Sequence, residues 1–295
     1  MRLLLLACLA LAFAGALAAE RADPLGSASS RYARVDGVRV HYKSLGAGPR
    51  AVVLVHGWTC DLQFWRQQAP DLAARVRVVA LDLPGHGLSD KPEREYSMAF
   101  LGRAVAAVLA DAGVDEAALV GHSMGALVAR QALDSDPRRV RTLVLADGSL
   151  RPHFQTAEEG RRFREPFQAD YPAALRRAVQ FLSEGMRPAD REWVEAHMLA
   201  TPRHVALSAQ EHMHDPASYP AGRVSVPIGA VMARSEHWQG YEAFLRGLSA
   251  RVDYRDLAGV SHFLMIDDPP GFNSALLGIL EAQGFLRPTT VPPGR

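Results

Sequence analysis

Gly121-His122-Ser123-Met124-Gly125 decides how this chain folds. It follows Ala117-Ala118-Leu119-Val120, an apolar run that reads as a buried strand. It precedes Ala126 to Leu133, whose apolar residues recur at helical spacing. A serine with glycines two residues to either side, between strand and helix, is a nucleophile elbow. The chain must reverse within a few residues, which forces Ser123 into a strained backbone conformation. Gly121 and Gly125 lack a Cβ, so strand and helix can pass close together. The turn lifts the hydroxyl above the sheet, and the following helix N-terminus offers unpaired N–H groups to developing negative charge.

Outward from the elbow, strand-like and helix-like segments alternate. Tyr32 to Val35 and Val38 to Tyr42, joined across Asp36-Gly37, read as a hairpin. Ala51 to Val55 is a continuous apolar run, the mark of a strand buried on both faces of a parallel sheet. A helix over Leu62 to Ala74, a strand over Val76 to Leu81 and a helix over Phe100 to Ala112 follow, then the elbow and a strand over Thr142 to Ala146. From Gly148 to Arg223 strand-like runs vanish and charged helical stretches replace them, for example Arg161 to Arg164, Ala173 to Gly185 and Asp190 to Ala200. Strands resume at Val226 to Met232 and Val252 to Leu257, before a helix over Gly271 to Gln283. The expected fold class is α/β: a mostly parallel sheet flanked by helices, with a helical lid inserted after the sixth core strand. The core takes residues 31–148 and 223–287, the lid 149–222 and a flexible leader 20–30.

The first 19 residues read as a secretory signal peptide. Met1-Arg2 is basic, Leu3 to Leu17 is almost wholly apolar, and Ala16 to Ala19 supplies small residues for cleavage after Ala18 or Ala19. The run is short for a membrane span of about 20 residues. Leu5-Leu6-Ala7-Cys8 resembles a lipoprotein box, but too few apolar residues precede Cys8. The expected location is a bacterial periplasm or the medium, with no stable membrane span after cleavage. Roughly 275 residues then remain, enough for one large domain. They keep a single cysteine, Cys60, so no internal disulfide forms. Lys+Arg (33) and Asp+Glu (32) nearly balance, which argues against nucleic acid as a partner.

Four motifs in order resemble the α/β-hydrolase superfamily in its single-lid form, over roughly residues 31 to 286. They are His56-Gly57-Trp58, Asp82-Leu83-Pro84-Gly85-His86-Gly87-Leu88-Ser89-Asp90, the elbow, and Gly259-Val260-Ser261-His262-Phe263. They specify fold more than substrate. Ser123 is the candidate nucleophile. A serine hydroxyl needs a base, and the order nucleophile, acid, histidine points to His262. The oxyanion hole needs two N–H donors: Met124 follows the nucleophile, and the resemblance implies Trp58 as the other. His56, His86 and His122 read as structural. For the acid, the resemblance implies a position just after the seventh strand, which falls on Glu236; Asp147, after the sixth strand, is the alternative.

No cofactor and no metal are expected. Glu211-His212-Met213-His214-Asp215 has the look of a metal site but lies where polar surface is expected. The arginines around Arg161 and Arg176 read as solvated helix faces. Together these residues indicate an exported serine hydrolase cleaving a small-molecule carboxylic ester through an acyl-enzyme. Phe154, Phe163, Phe167, Tyr171, Phe181, Trp193 and Met198 suggest an apolar acyl or alcohol pocket. The same residues leave open a carbon–carbon hydrolase, a perhydrolase or acyltransferase, and a slow-turnover ligand-binding receptor. Relatives that open epoxides use an aspartate nucleophile, where this chain has Ser123.

Overall fold

A computed structural model of the chain describes residues 23–288. The signal-peptide reading of residues 1–19, Cys8 included, lies outside them. Among the described residues no helix is long and apolar enough to cross a membrane.

One eight-stranded sheet, in spatial order β1-β2-β4-β3-β5-β6-β7-β8, organises the molecule. β1 (Arg31–Val35) and β2 (Val38–Leu45) form the expected hairpin, with Asp36 and Gly37 both at positive φ in the turn. β2 pairs antiparallel with β4 (Arg77–Leu81). From β4 onward every pairing is parallel, through β3 (Arg50–Val55), β5 (Glu116–His122), β6 (Val140–Ala146), β7 (Ile228–Ala233) and β8 (Val252–Leu257). Ala51 to Val55 are fully buried, which explains the unbroken apolar run. Because β3, β5 and β6 are adjacent and parallel, the residues that follow them gather at one edge of the sheet.

The elbow needs its glycines for space. A methyl at Gly121 would lie 2.3 Å from Gly125 O, and one at Gly125 would lie 2.4 Å from Val55 O. Backbone cannot yield as a side-chain tip does, so Gly121→Ala is expected to cost about 3 kcal/mol of unfolding free energy. Urea titration of the two proteins measures it, and an unchanged midpoint would refute the packing account.

One local expectation differs from the structure, and two segments gain detail. Leu62 to Ala74 is two pieces, a 3₁₀ turn Leu62–Trp65 and a short helix Ala69–Ala73. Asp61 caps the first through Gln63 N, and Pro70, which has no N–H to donate, sits at the start of the second. The stretch read as leader is packed from Pro24 onward. Pro24–Ser27 forms one helical turn, Leu25 is fully buried, and Lys43 Nζ donates to the carbonyls of Leu25 and Gly26. Between β6 and β7 lie four α-helices: Ala157–Ala169, Tyr171–Leu182, Pro188–Leu199 and Arg203–Met213. The last includes much of the segment that looked metal-like. A Thr156–Glu159 capping box starts the first, and Asp170 caps the second.

Candidate active site

Ser123 is the N-cap of the helix Met124–Ser135, with φ 52° and ψ −122°. A non-glycine residue there is strained, and the surroundings hold it. Ser123 N donates to Ala146 O (3.0 Å), tying the turn to the end of β6, and Gly57 and Gly148 crowd it so closely that a methyl on either would clash. The Met124 N–H lies in the first helical turn, where amides have no intrahelical acceptor.

His262 sits in the loop after β8, which begins at Gly259 with φ 72°. Three contacts fix it. Its Nδ1 is 2.6 Å from Asp147 Oδ2, its N–H donates to Leu182 O (3.1 Å), and its carbonyl lies 2.9 Å from His122 Nε2. Ser123, His262 and Asp147 line one cavity of about 1000 Å³ roofed by the inserted helices. Most of its wall is apolar: Phe154, Phe163, Phe167 and Phe181 face it with Met198 and Trp58.

The carboxylate against the imidazole is therefore Asp147, and the preference for Glu236 is corrected. Asp147 follows β6 with φ 46°, its N–H donating to Val231 O (2.9 Å). Its Oδ1 accepts from Ala233 N and from Trp238 Nε1, both at 2.8 Å, leaving Oδ2 for His262. The loop after β7 thus supplies donors to the acid. Its Glu236–Trp238 segment is a 3₁₀ turn that buries the Trp238 indole and leaves Glu236 exposed. The sequence offered one signal for Trp238, an indole in an otherwise polar loop, whose N–H needs an acceptor once buried.

Trp58, in the loop after β3, is buried and joined to the inserted helices. Its indole donates to Ala206 O (2.8 Å), and its ring meets Phe167 edge to face at 5.5 Å. The next residue, Thr59, has φ 57° and accepts from Thr201 Oγ1 at 3.1 Å. His56 supports the loop from below: Leu83 N donates to its Nε2, which leaves Nδ1–H for Gly57 O. Cys60 is a free, buried thiol on the cavity wall, with burial pushing its pKa up, so it is a poor thiolate source.

The remaining histidines divide by burial. Burial, reinforced by neighbouring His262, holds His122 well below the ordinary imidazole range. Burial lowers His86 to about 3, and His214 to about 3. The metal-like segment is dispersed: His214 is buried between the Phe154 and Phe163 rings, while Glu211 is exposed beside Arg164. Among the described residues no group of three or more His, Cys, Asp or Glu is placed to hold a metal ion.

These depressed histidines set a pH dependence of folding. The unfolded chain takes their protons below an ordinary value of 6.5, and the folded chain refuses them until about 3. Stability is therefore complete above 6.5 and is lost as pH falls toward 3. For His86 and His214 together the loss by about pH 5 is on the order of 4 kcal/mol. Urea unfolding at neutral pH and near pH 5 should show it, and equal stabilities would contradict the burial of both rings.

A family model described as the alpha/beta hydrolase fold matches residues 50–248. The pimeloyl-(acyl-carrier protein) methyl ester esterase of Edwardsiella ictaluri is 34% identical over 171 residues, 55% of this chain and 64% of that protein. The dihydrolipoyllysine-residue acetyltransferase component of the acetoin cleaving system of Cupriavidus necator is 40% identical over 119 residues, 40% of this chain and 32% of that one. Epoxide hydrolase 1 of Caenorhabditis elegans is 33% identical over 145 residues and 36% of its length. The chain thus spans about a third of the length of several curated relatives it matches. Among solved structures, the esterase RhEst1 from Rhodococcus sp. ECU1013 superposes with TM-score 0.69 at 26% identity, covering 87% of this chain and all of that one (100%). A thermophilic esterase from Thermogutta terrifontis superposes with TM-score 0.74 at 20% identity, covering 86% and 99%.

Proposed function

Starting from the α/β-hydrolase fold family, to which the chain belongs, we propose that it is a serine hydrolase cleaving a carboxylic ester through an acyl-enzyme. One observation carries the proposal: a serine at φ 52° at a helix N-terminus shares a cavity with a histidine whose far nitrogen is 2.6 Å from a buried aspartate. The likeness to a methyl ester esterase supports the choice of bond.

In the proposed reaction Ser123 Oγ attacks the ester carbonyl while His262 Nε2 takes its proton. Asp147 keeps Nδ1 protonated, so that Nε2 is the basic nitrogen, and stabilises the imidazolium that forms. The backbone N–H groups of Met124 and Trp58 hold the oxyanion. His262 then protonates the departing alcohol. A water, deprotonated by the same nitrogen, attacks the acyl-enzyme and releases the acid with Ser123 restored. No cofactor enters. The apolar wall around Phe163, Phe167 and Phe181 fits an apolar acyl or alcohol part. Similarity to epoxide hydrolases does not extend to their chemistry, since Ser123 stands where the family resemblance expects an aspartate for epoxides.

The test is steady-state hydrolysis of p-nitrophenyl esters from acetate to palmitate. Many turnovers per protein molecule, with a chain-length optimum set by the cavity, are expected. A single turnover would favour a ligand-binding receptor, and none at all by folded protein would overturn the esterase assignment. Export to the periplasm or medium is proposed from Met1 to Ala19 alone. The N-terminus of the protein recovered there should begin at Ala19 or Glu20, and an intact Met1 would refute cleavage.

A further inference from the structure

Two uncharged polar side chains on the cavity wall lie far in sequence from the proposed catalytic residues, and each keeps a buried atom without a hydrogen-bond partner. Gln210 and His214 lie one turn apart at the end of the helix Arg203–Met213, and both line the cavity. Gln210 is 1% exposed and His214 is 7% exposed. Gln210 Oε1 and His214 Nδ1 are buried with no hydrogen-bond partner. Buried polar atoms are almost always paired, and leaving one unpaired is costly, so a pair of them beside an open cavity calls for a partner the protein does not itself provide.

The surroundings hold both residues in place. The His214 ring is clamped edge to face by Phe154 at 5.0 Å and Phe163 at 4.9 Å, and the His214 backbone N–H donates to Gln210 O. One turn before Gln210, on the same helix face, Ala206 O accepts the Trp58 indole. Gln210 is therefore one turn from the contact that anchors the proposed oxyanion loop.

We infer that Gln210 and His214 form a specificity site that hydrogen-bonds an uncharged polar group, a hydroxyl or an amide, on the non-reacting part of the substrate. The inference deepens the esterase proposal and rests on it for the identity of the reacting end. An amide offers both donors and an acceptor, and a neutral imidazole offers one of each, which a hydroxyl or secondary amide can answer in either sense. Burial keeps His214 uncharged, so a neutral polar group can pair with the imidazole without a proton being taken up. A site built to bond a polar group rejects the analogue that lacks it far more strongly than an apolar pocket distinguishes chain lengths.

Binding to the Ser123→Ala protein tests the inference without turnover. The probes are methyl esters of six-, eight- and ten-carbon acids, each paired with its terminal hydroxyl and terminal N-methylamide counterpart. Alkyl acetates with the same groups on the alcohol complete the set. Calorimetry should show, for at least one length, a polar member binding about tenfold more tightly than its plain partner. Adding Gln210→Leu, or separately His214→Phe, should bring that ratio to within about twofold. Two substitutions of different shape guard against misfolding of either, and thermal unfolding confirms that each is folded. No polar preference at any length, or a preference that survives both substitutions, would overturn the specificity site. Absence of hydrolysis by the protein with Ser123 intact would instead overturn the esterase proposal, and the binding ratio distinguishes the two failures.

Discussion

Ser123→Ala is expected to lower kcat on an activated ester by roughly 10⁴- to 10⁶-fold, with KM little changed. The size follows from what the substitution removes. Without Oγ the proposed acyl-enzyme cannot form, and the residual rate is that of water attacking a carbonyl held by the proposed donors, the Met124 and Trp58 amides. The backbone at φ 52° disfavours alanine no more than serine, so the variant should fold, and its unfolding midpoint should match the parent. Stopped-flow mixing with p-nitrophenyl acetate gives a second readout. The parent should release a burst of nitrophenol when deacylation limits the rate, and the variant none. A variant retaining even a tenth of the activity would place the nucleophile elsewhere.

Asp147→Asn is expected to cost roughly 10⁴-fold in kcat, and Glu236→Gln less than about threefold. The contrast rests on which carboxylate the imidazole meets. Asp147 Oδ2 is 2.6 Å from His262 Nδ1, while Glu236 is exposed on a 3₁₀ turn. An asparagine would offer His262 either an amide oxygen or an NH₂. The second orientation reverses the donor at Nδ1 and leaves Nε2 protonated, unable to act as base. Asparagine keeps the side chain's size and an acceptor for the Trp238 indole and Ala233 N–H, so the protein should remain folded. Equal losses at Asp147 and Glu236 would refute the pairing.

The elbow, the parallel strands and the His262 loop were legible because each is local: a glycine pattern, an apolar run, a histidine just past a strand. The acid was not. Asp147 and Glu236 both follow buried strands, at the same edge of the sheet, and spacing along the chain cannot say which reaches the loop after β8. That is settled by how the Arg234 to Trp238 segment turns. The 3₁₀ turn brings the Trp238 indole to Asp147 Oδ1 and carries Glu236 outward. The fourth inserted helix was hidden for a related reason. Its Glu211 to Asp215 end reads as polar surface, yet His214 is buried by Phe154 and Phe163, which lie some fifty to sixty residues earlier in the chain. Periodicity registers a helix's own faces and not what distant segments lay over them. Likewise Leu62 to Ala74 reads as one helix, and the break before Pro70 and the Asp61 cap on Gln63 N appear only in the structure.

Of the hydrogen bonds that stitch the insertion to the core, three reach the proposed site: Trp58 Nε1 to Ala206 O, Thr201 Oγ1 to Thr59 O, and His262 N to Leu182 O. Each lower partner belongs to the loop of the proposed oxyanion donor or is the proposed base itself. The roof of this cavity is therefore not an interchangeable part. A chimera carrying a relative's insertion on this core would inherit the relative's pocket but lose the struts that set Trp58 and His262. Retuning substrate preference by transplantation would then weaken the chemistry unless residues equivalent to Leu182, Thr201 and Ala206 travelled with the graft in register.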